Sequence, residues 1–122
     1  MAKGTQRRSV CPVACTLDLI GDKWTLLVVR DLASGKTKFK EFMAAPEHIA
    51  TNILAERLAR LEEHGLVERQ ASEDHAGRCD YALTAKGKTL LPVLRAVAEW
   101  GLEHIEGTAA RIRVSRPGPG AR

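Results

Sequence analysis

At 122 residues the chain is the length of one domain, with enough material to bury a hydrophobic core. Lysine and arginine outnumber aspartate and glutamate by 19 to 15, a formal charge of +4 that suits an anionic partner without demanding one. No apolar run approaches the ~18 residues of a membrane-spanning helix. The basic start MAKGTQRRSV has no secretory apolar segment behind it, and an odd number of cysteines argues against a secreted disulfide framework, so a cytoplasmic chain without membrane contact is expected.

Residues 1–10 are expected to form a disordered basic arm, with Lys3, Arg7 and Arg8. Cys11 to Ile20 predicts a short helix, with Pro12 suited to its first position, Val13, Leu17 and Ile20 on one face, and Gly21 as its stop. Lys23 to Ala33 predicts a second helix, apolar nearly all the way round, which belongs at the centre of a domain. Lys36, Lys38 and Lys40 then alternate before a short helix whose apolar face is Phe39, Phe42 and Met43; Pro46 ends it.

The stretch IATNILAERLARLEEHGL, Ile49 to Leu66, is the most informative. At ~100° per residue, Leu54, Leu58 and Leu61 form one stripe with Ile53 at its edge. Thr51, Asn52, Ala55, Glu56 and Ala59 lie opposite. Thr51 is a candidate N-cap, Ala50 an alternative start, and Gly65 the glycine that ends the helix. A helix entering a DNA groove needs such a face, because short side chains allow close approach and an amide can read a base edge. With the preceding short helix and the tight link Pro46-Glu47-His48, the pattern is a helix-turn-helix.

Val67 to Ala71 and Cys79 to Leu83 alternate as strands around the polar loop SEDHAGR, a hairpin wing. Its tip carries His75 and Arg78, but also Glu73 and Asp74. Cys79, Tyr81 and Leu83 share a side, which places Cys79 in the core. Thr84 caps a last helix from about Ala85 to Ile105, in which Pro92 either kinks the helix or marks its true start. The apolar arc of Leu90, Leu91, Val93, Leu94, Val97, Ala98, Leu102 and Ile105 is wider than one small domain needs. A second copy of the chain would cover it; coverage by the first helix is the alternative. Residues 107–122, ending PGPGAR, are expected to form a disordered basic tail.

These elements make a mostly α fold with a small β-hairpin, a winged helix-turn-helix dimerising through its terminal helices. The blocks CPVACTLDLIGDKWTLLVVRDL, FKEF, IATNILAERLARLEEHGLVER and YALTAKGKTLLPVLRAVAEWG, in that order and spacing, resemble the HxlR-type family of bacterial transcriptional regulators over about Cys11 to Ile105. The domain is expected to span residues 11–106. The resemblance implies a small cytoplasmic protein that binds double-stranded DNA as a homodimer on a short inverted repeat, with Ala50 to His64 as recognition helix. Many members carry serine or proline where this chain has Ala50 and Thr51, and a basic residue where it has Asn52. Asn favours adenine, so the operator is expected to differ from those of relatives with arginine there.

The candidate DNA-binding residues are Thr51, Asn52, Ala55, Glu56 and Arg60 on the helix, Lys36, Lys38 and Lys40 before the motif, and Arg78 on the wing. Asn52 is the first candidate for base contact and Arg60 for phosphate. Arg57 falls on the core side; it either pairs with a carboxylate, Asp31 being one candidate, or packs its stem and sends its head to the DNA side. The expected dimer interface is Val13, Leu17, Leu91, Leu94, Val97, Ala98, Leu102 and Ile105.

Cys11 opens the first helix, where the helix dipole favours a thiolate. The resemblance adds that a cysteine here senses oxidants or electrophiles in some relatives; a small buried residue is the other reading. A bond to Cys15, one turn on, would staple only one helix to itself, so any switch should act between subunits. A small-molecule effector is compatible with the family. No C-x-x-C or H-x-x-x-H spacing, glycine-rich phosphate loop or organised catalytic set occurs, so no metal, cofactor or enzyme activity is expected. The other functional reading is a winged-helix protein-interaction module whose basic surface meets an acidic partner.

Overall fold

The computed structural model describes residues 7–73 and 77–109. Six helices and one hairpin run in the order α1 (Pro12–Ile20), α2 (Thr25–Ala33), α3 (Phe39–Met43), α4 (Thr51–Glu63), β1 (Val67–Ala71), β2 (Cys79–Leu83), α5 (Ala85–Lys88) and α6 (Leu91–His104). This is the mostly helical fold with a hairpin wing that the sequence predicts. Most of the expected N-terminal arm, wing residues Asp74 and His75, and nearly all of the expected tail lie outside the described residues.

The core forms where apolar stripes converge on α2. Val28, Val29 and Leu32 of α2 meet Phe42 of α3, Ile49, the Leu54–Leu58–Leu61 stripe of α4, and Leu66 and Val67 at the root of the wing. Leu54 is wholly buried and its stripe partners nearly so, while Thr51, Asn52, Ala55, Glu56 and Ala59 are exposed. The helical period thus places α4 with its leucines inward and its small, polar face to solvent. Its N-cap is Ala50, without a side-chain cap, and Thr51 is the first helical residue. At the other end Gly65 takes a φ of 76°, and Leu66 N donates to Leu61 O at 2.9 Å. That bond satisfies a carbonyl that the helix end would otherwise leave unpaired.

The strands pair antiparallel, from Val67 opposite Leu83 at the root to Ala71 opposite Cys79 toward the tip. Cys79 is exposed rather than in the core. Its strand face is apolar only where it lies against the body, at Tyr81 and Leu83; Cys79 is beyond the reach of that packing. Tyr81 N donates to Thr37 O at 2.8 Å, and the Tyr81 ring meets Phe42 edge-on at 6.2 Å, so the wing root is joined to the start of α3.

The expected last helix is broken in two. Thr84 Oγ1 accepts from Gly87 N at 3.0 Å and caps α5, and Thr84 N donates to Leu66 O at 3.0 Å. α6 then restarts with Pro92 in its first turn, so Pro92 marks a start and not a kink. Leu94, expected at a dimer interface, is only 4% exposed and belongs to the core of its own protomer, where α6 packs on α2.

Gly87 is buried where α5 crosses the end of the recognition helix, and a Cβ there would sit 2.0 Å from Leu66 O. That contact is with backbone, so neither side can give way cheaply. Gly87→Ala is expected to lower stability by about 1–3 kcal/mol through overpacking, read as a lower denaturant midpoint at unchanged slope.

Candidate nucleic-acid interface

Two ionic clusters hold α4 and the turn before it. The first forms at the corner between α1 and α2. Asp22 Oδ2 accepts from the Trp24 and Thr25 amides at 3.0 and 3.1 Å, completing the first turn of α2. The same oxygen accepts from Arg57 Nε at 2.8 Å. Asp22 Oδ1 takes the Thr25 hydroxyl and Arg60 Nη2, the latter at 3.0 Å. Burial alone would raise the pKa of Asp22; the hydrogen bonds from Arg57, Thr25 and the Trp24 amide outweigh it and hold the carboxyl well below the ordinary carboxylate range.

The second cluster lies at the turn of the motif. Arg30 Nη1 and Nη2 each donate to one oxygen of Glu47 at 2.8 Å, and Arg30 Nε donates to Asp31 at 3.0 Å. The paired guanidinium lowers the pKa of Glu47. His48 follows with a φ of 60°, the left-handed region, which lets the chain turn tightly into α4. On α3, Glu41 Oε1 accepts from the Thr37 and Lys38 amides at 2.9 and 3.0 Å, an N-terminal box that fixes the approach of the helix.

Two expectations are corrected here. Arg57 pairs with Asp22, not Asp31, whose carboxylate is taken by Arg30 and approached by Lys36 Nζ at 3.6 Å. Arg57 Nη1 also bonds Glu56, the acid on the outward face. Arg60, expected to reach a phosphate, turns inward. Its Nη2 donates to Leu19 O at 2.8 Å, to Asp22 and to Thr25 Oγ1 at 3.1 Å. A periodic wheel gives the side of the helix but not the acceptor, and these lie across the α1–α2 corner.

The other expected residues divide by exposure. Thr51, Asn52, Ala55 and Glu56 share the open face of α4, and Lys40 of α3 and Arg78 of the wing are exposed. Lys38 Nζ is tied to Asp80 of the wing at 2.8 Å. A cleft of about 380 Å³ separates α3 from the wing, with Lys38, Lys40 and Arg78 among its lining. His48, whose positive φ the sequence reading did not anticipate, is exposed in the turn just before α4.

Away from this face, Val13, Leu17, Val97, Leu102 and Ile105 are exposed, as is Trp100 at 62%, whereas Leu91 and Ala98 are half-buried. Cys11 is exposed at the N-cap of α1, and Cys15 is half-buried.

A family model, the HxlR-like helix-turn-helix, matches residues 19–109. The chain belongs to the HxlR-like family. An HTH-type transcriptional regulator of Synechocystis sp. is 34% identical over 97 residues, covering 80% of this chain and 72% of that protein. Among solved structures, PA1607 superposes with a TM-score of 0.76 at 38% identity, covering 93% of this chain and 82% of that one. The redox regulator HypR in its reduced form superposes at 0.71 with 34% identity, over 79% and 95% of the two chains. This HxlR-like protein is a transcriptional regulator with a winged-helix DNA-binding fold.

The Asp22 cluster makes a pH prediction. A carboxyl whose folded pKa lies below its unfolded value near ~3.9 stabilises the fold fully above that pH and loses the contribution as pH falls through the folded value. Asp22→Asn is expected to cost about 1.5–3 kcal/mol at neutral pH, the worth of hydrogen bonds to a charged group. The deficit should shrink in acid, and urea melts between neutral pH and pH ~2.5 would show the two proteins converging. A deficit independent of pH would mean that the charge of Asp22 is not what matters.

Proposed function

We propose that this HxlR-like regulator binds a short inverted repeat as a homodimer, with the exposed face of α4 in the major groove and Asn52 as the principal base contact. The observation that carries the reading is that face: small and polar, on a helix whose arginines are turned inward and hold it in place. Ala55 and Ala59 leave room for close approach, and Asn52 is exposed one residue into the helix. Thr51 contacts phosphate or a thymine methyl; Lys40 and Arg78 grip backbone phosphates on either side of the wing cleft, with Lys36 and Lys38 adding positive charge behind them. Glu56, bonded to Arg57, accepts from cytosine or excludes other bases.

The exposed apolar residues of α1 and α6 form the dimer interface, chiefly Val13, Leu17, Val97, Leu102 and Ile105, with Leu91 and Ala98 at its margin. Two-fold symmetry then gives an operator of matching symmetry. Cys11 is exposed at the open end of α1, next to this face, and its modification alters how the subunits meet. HypR is described as a redox regulator, which supports a thiol response here. A small thiol-reactive effector is the ligand class this implies, and the protein works in the cytoplasm without catalysis.

Selection from a random duplex pool at near-physiological salt is expected to enrich a two-fold symmetric site. Asn52→Ala should then lose about 1–3 kcal/mol of discrimination at one base pair per half-site while binding bulk DNA unchanged. Absence of any enriched sequence, with folded and reduced protein, would favour the protein-interaction module instead. Diamide or a quinone should release the selected DNA from wild type and not from Cys11→Ser. Equal release from both would remove Cys11 from the mechanism.

A further inference from the structure

We propose that Arg60 is the joint that fixes the angle between α1 and the recognition helix, and that this angle sets the half-site spacing the protein accepts. The inference rests on the dimeric reading above. It starts from how α1 is attached. Only Ile20 of its residues is fully buried, with Leu19 partly buried against the core. Its local bonds, Arg8 to Asp18 and Cys15 to Ser9, go to the segment before it and not to the rest of the domain. Among the described residues, the hydrogen bond that ties α1 to α4 is the one from Arg60 Nη2 to Leu19 O, at 2.8 Å.

The same nitrogen reaches Asp22 Oδ1 at 3.0 Å in the corner and Thr25 Oγ1 at 3.1 Å in the first turn of α2. One guanidinium, carried by the last turn of α4, therefore touches the end of α1, the corner and the start of α2. The arm of the guanidinium fork that carries Nη2 has two N–H bonds shared among these three acceptors, and its fixed plane, unlike a freely rotating ammonium, meets all three in one orientation. The corner is tight as well: a Cβ on Gly21 would meet Leu17 O at 2.4 Å. The exposed apolar residues of α1, Leu17 about half a turn and Val13 less than two turns from Leu19, lie on the same short rod. A tilt of that rod moves the interface relative to the α4 face. In a two-fold dimer the distance between recognition helices is the geometric term that selects half-site spacing. Arg60 is thus a positioning residue: it touches no base, and it decides where the second reading helix falls.

The test uses the full-length protein and labelled duplexes. One set carries the selected inverted repeat with its spacer unchanged or altered by one base pair; another carries a single half-site. Wild type is expected to lose about tenfold in affinity on the spacer change, of the order of one mismatch. Arg60→Met, checked for folding by circular dichroism and for dimerisation by sedimentation, should bind the half-site within about twofold of wild type and lose less than about threefold on the spacer change. Arg60→Lys keeps the charge but not the fork and should fall between; if Arg60→Met fails to fold, Arg60→Lys carries the comparison.

Undiminished spacer selectivity in the folded variants would overturn the joint and leave the dimeric reading intact. Equal weakening on half-site and full site would make Arg60 a DNA contact and also overturn it. A wild type indifferent to spacing would overturn the joint and the inverted-repeat reading together.

Discussion

The structure depends on the carboxylate of Asp22. It sits at the corner between the first two helices and gathers the Trp24 and Thr25 amides, the Thr25 hydroxyl and the guanidinium groups of Arg57 and Arg60. The carboxylate is half-buried, and its lone pairs are satisfied by these donors. The leucine stripe fixes which side of α4 faces the core, but hydrophobic contact is not directional and would allow the helix to slide or roll. The Arg57 contact removes that freedom, and the Arg60 contact sets α1 against the helix so held. The Arg30–Glu47 fork does the same for the turn that leads into α4. Oil holds the recognition helix down; charge holds it in register.

Much of this was legible from residue order. The period of Leu54, Leu58 and Leu61, the glycine stop at Gly65, the Thr84 cap and both strand limits are local signals, and each appears in the structure as predicted. The misses are all matters of partnership across distant parts of the chain. Arg57 belongs on the core side of α4, but whether Asp22 or Asp31 meets it depends on how α4 crosses α2, which no period encodes. Arg60 has the same ambiguity at larger scale, since its acceptors lie on α1 and α2. Cys79 shares a strand face with Tyr81 and Leu83, yet alternation does not say how far along the hairpin the body of the protein extends. For the candidate site, the open face of α4 was readable, and so were the lysines and Arg78 as candidates, but not which of them are tied to carboxylates.

That distinction changes the electrostatic picture. The alternating lysines suggest a continuous basic strip, but Lys38 is paired with Asp80 and Lys36 stands near Asp31, leaving Lys40 and Arg78 as the exposed cations among the candidates on α3 and the wing. The acid on that face, Glu56, is itself bonded to Arg57. If this face meets DNA as proposed, few phosphate contacts would give a shallow dependence on salt, and a close-approaching helix a strict demand on groove shape.

The hydrogen bond from Tyr81 to Thr37 has a consequence for how the molecule comes to exist at all. It closes a loop that contains the whole helix-turn-helix and the hairpin. Closing such a loop costs chain entropy before its contacts form, so the reading helix and the second strand of the wing order in one cooperative step. A chain still lacking that strand, as during synthesis, holds the residues for reading DNA without the frame that presents them.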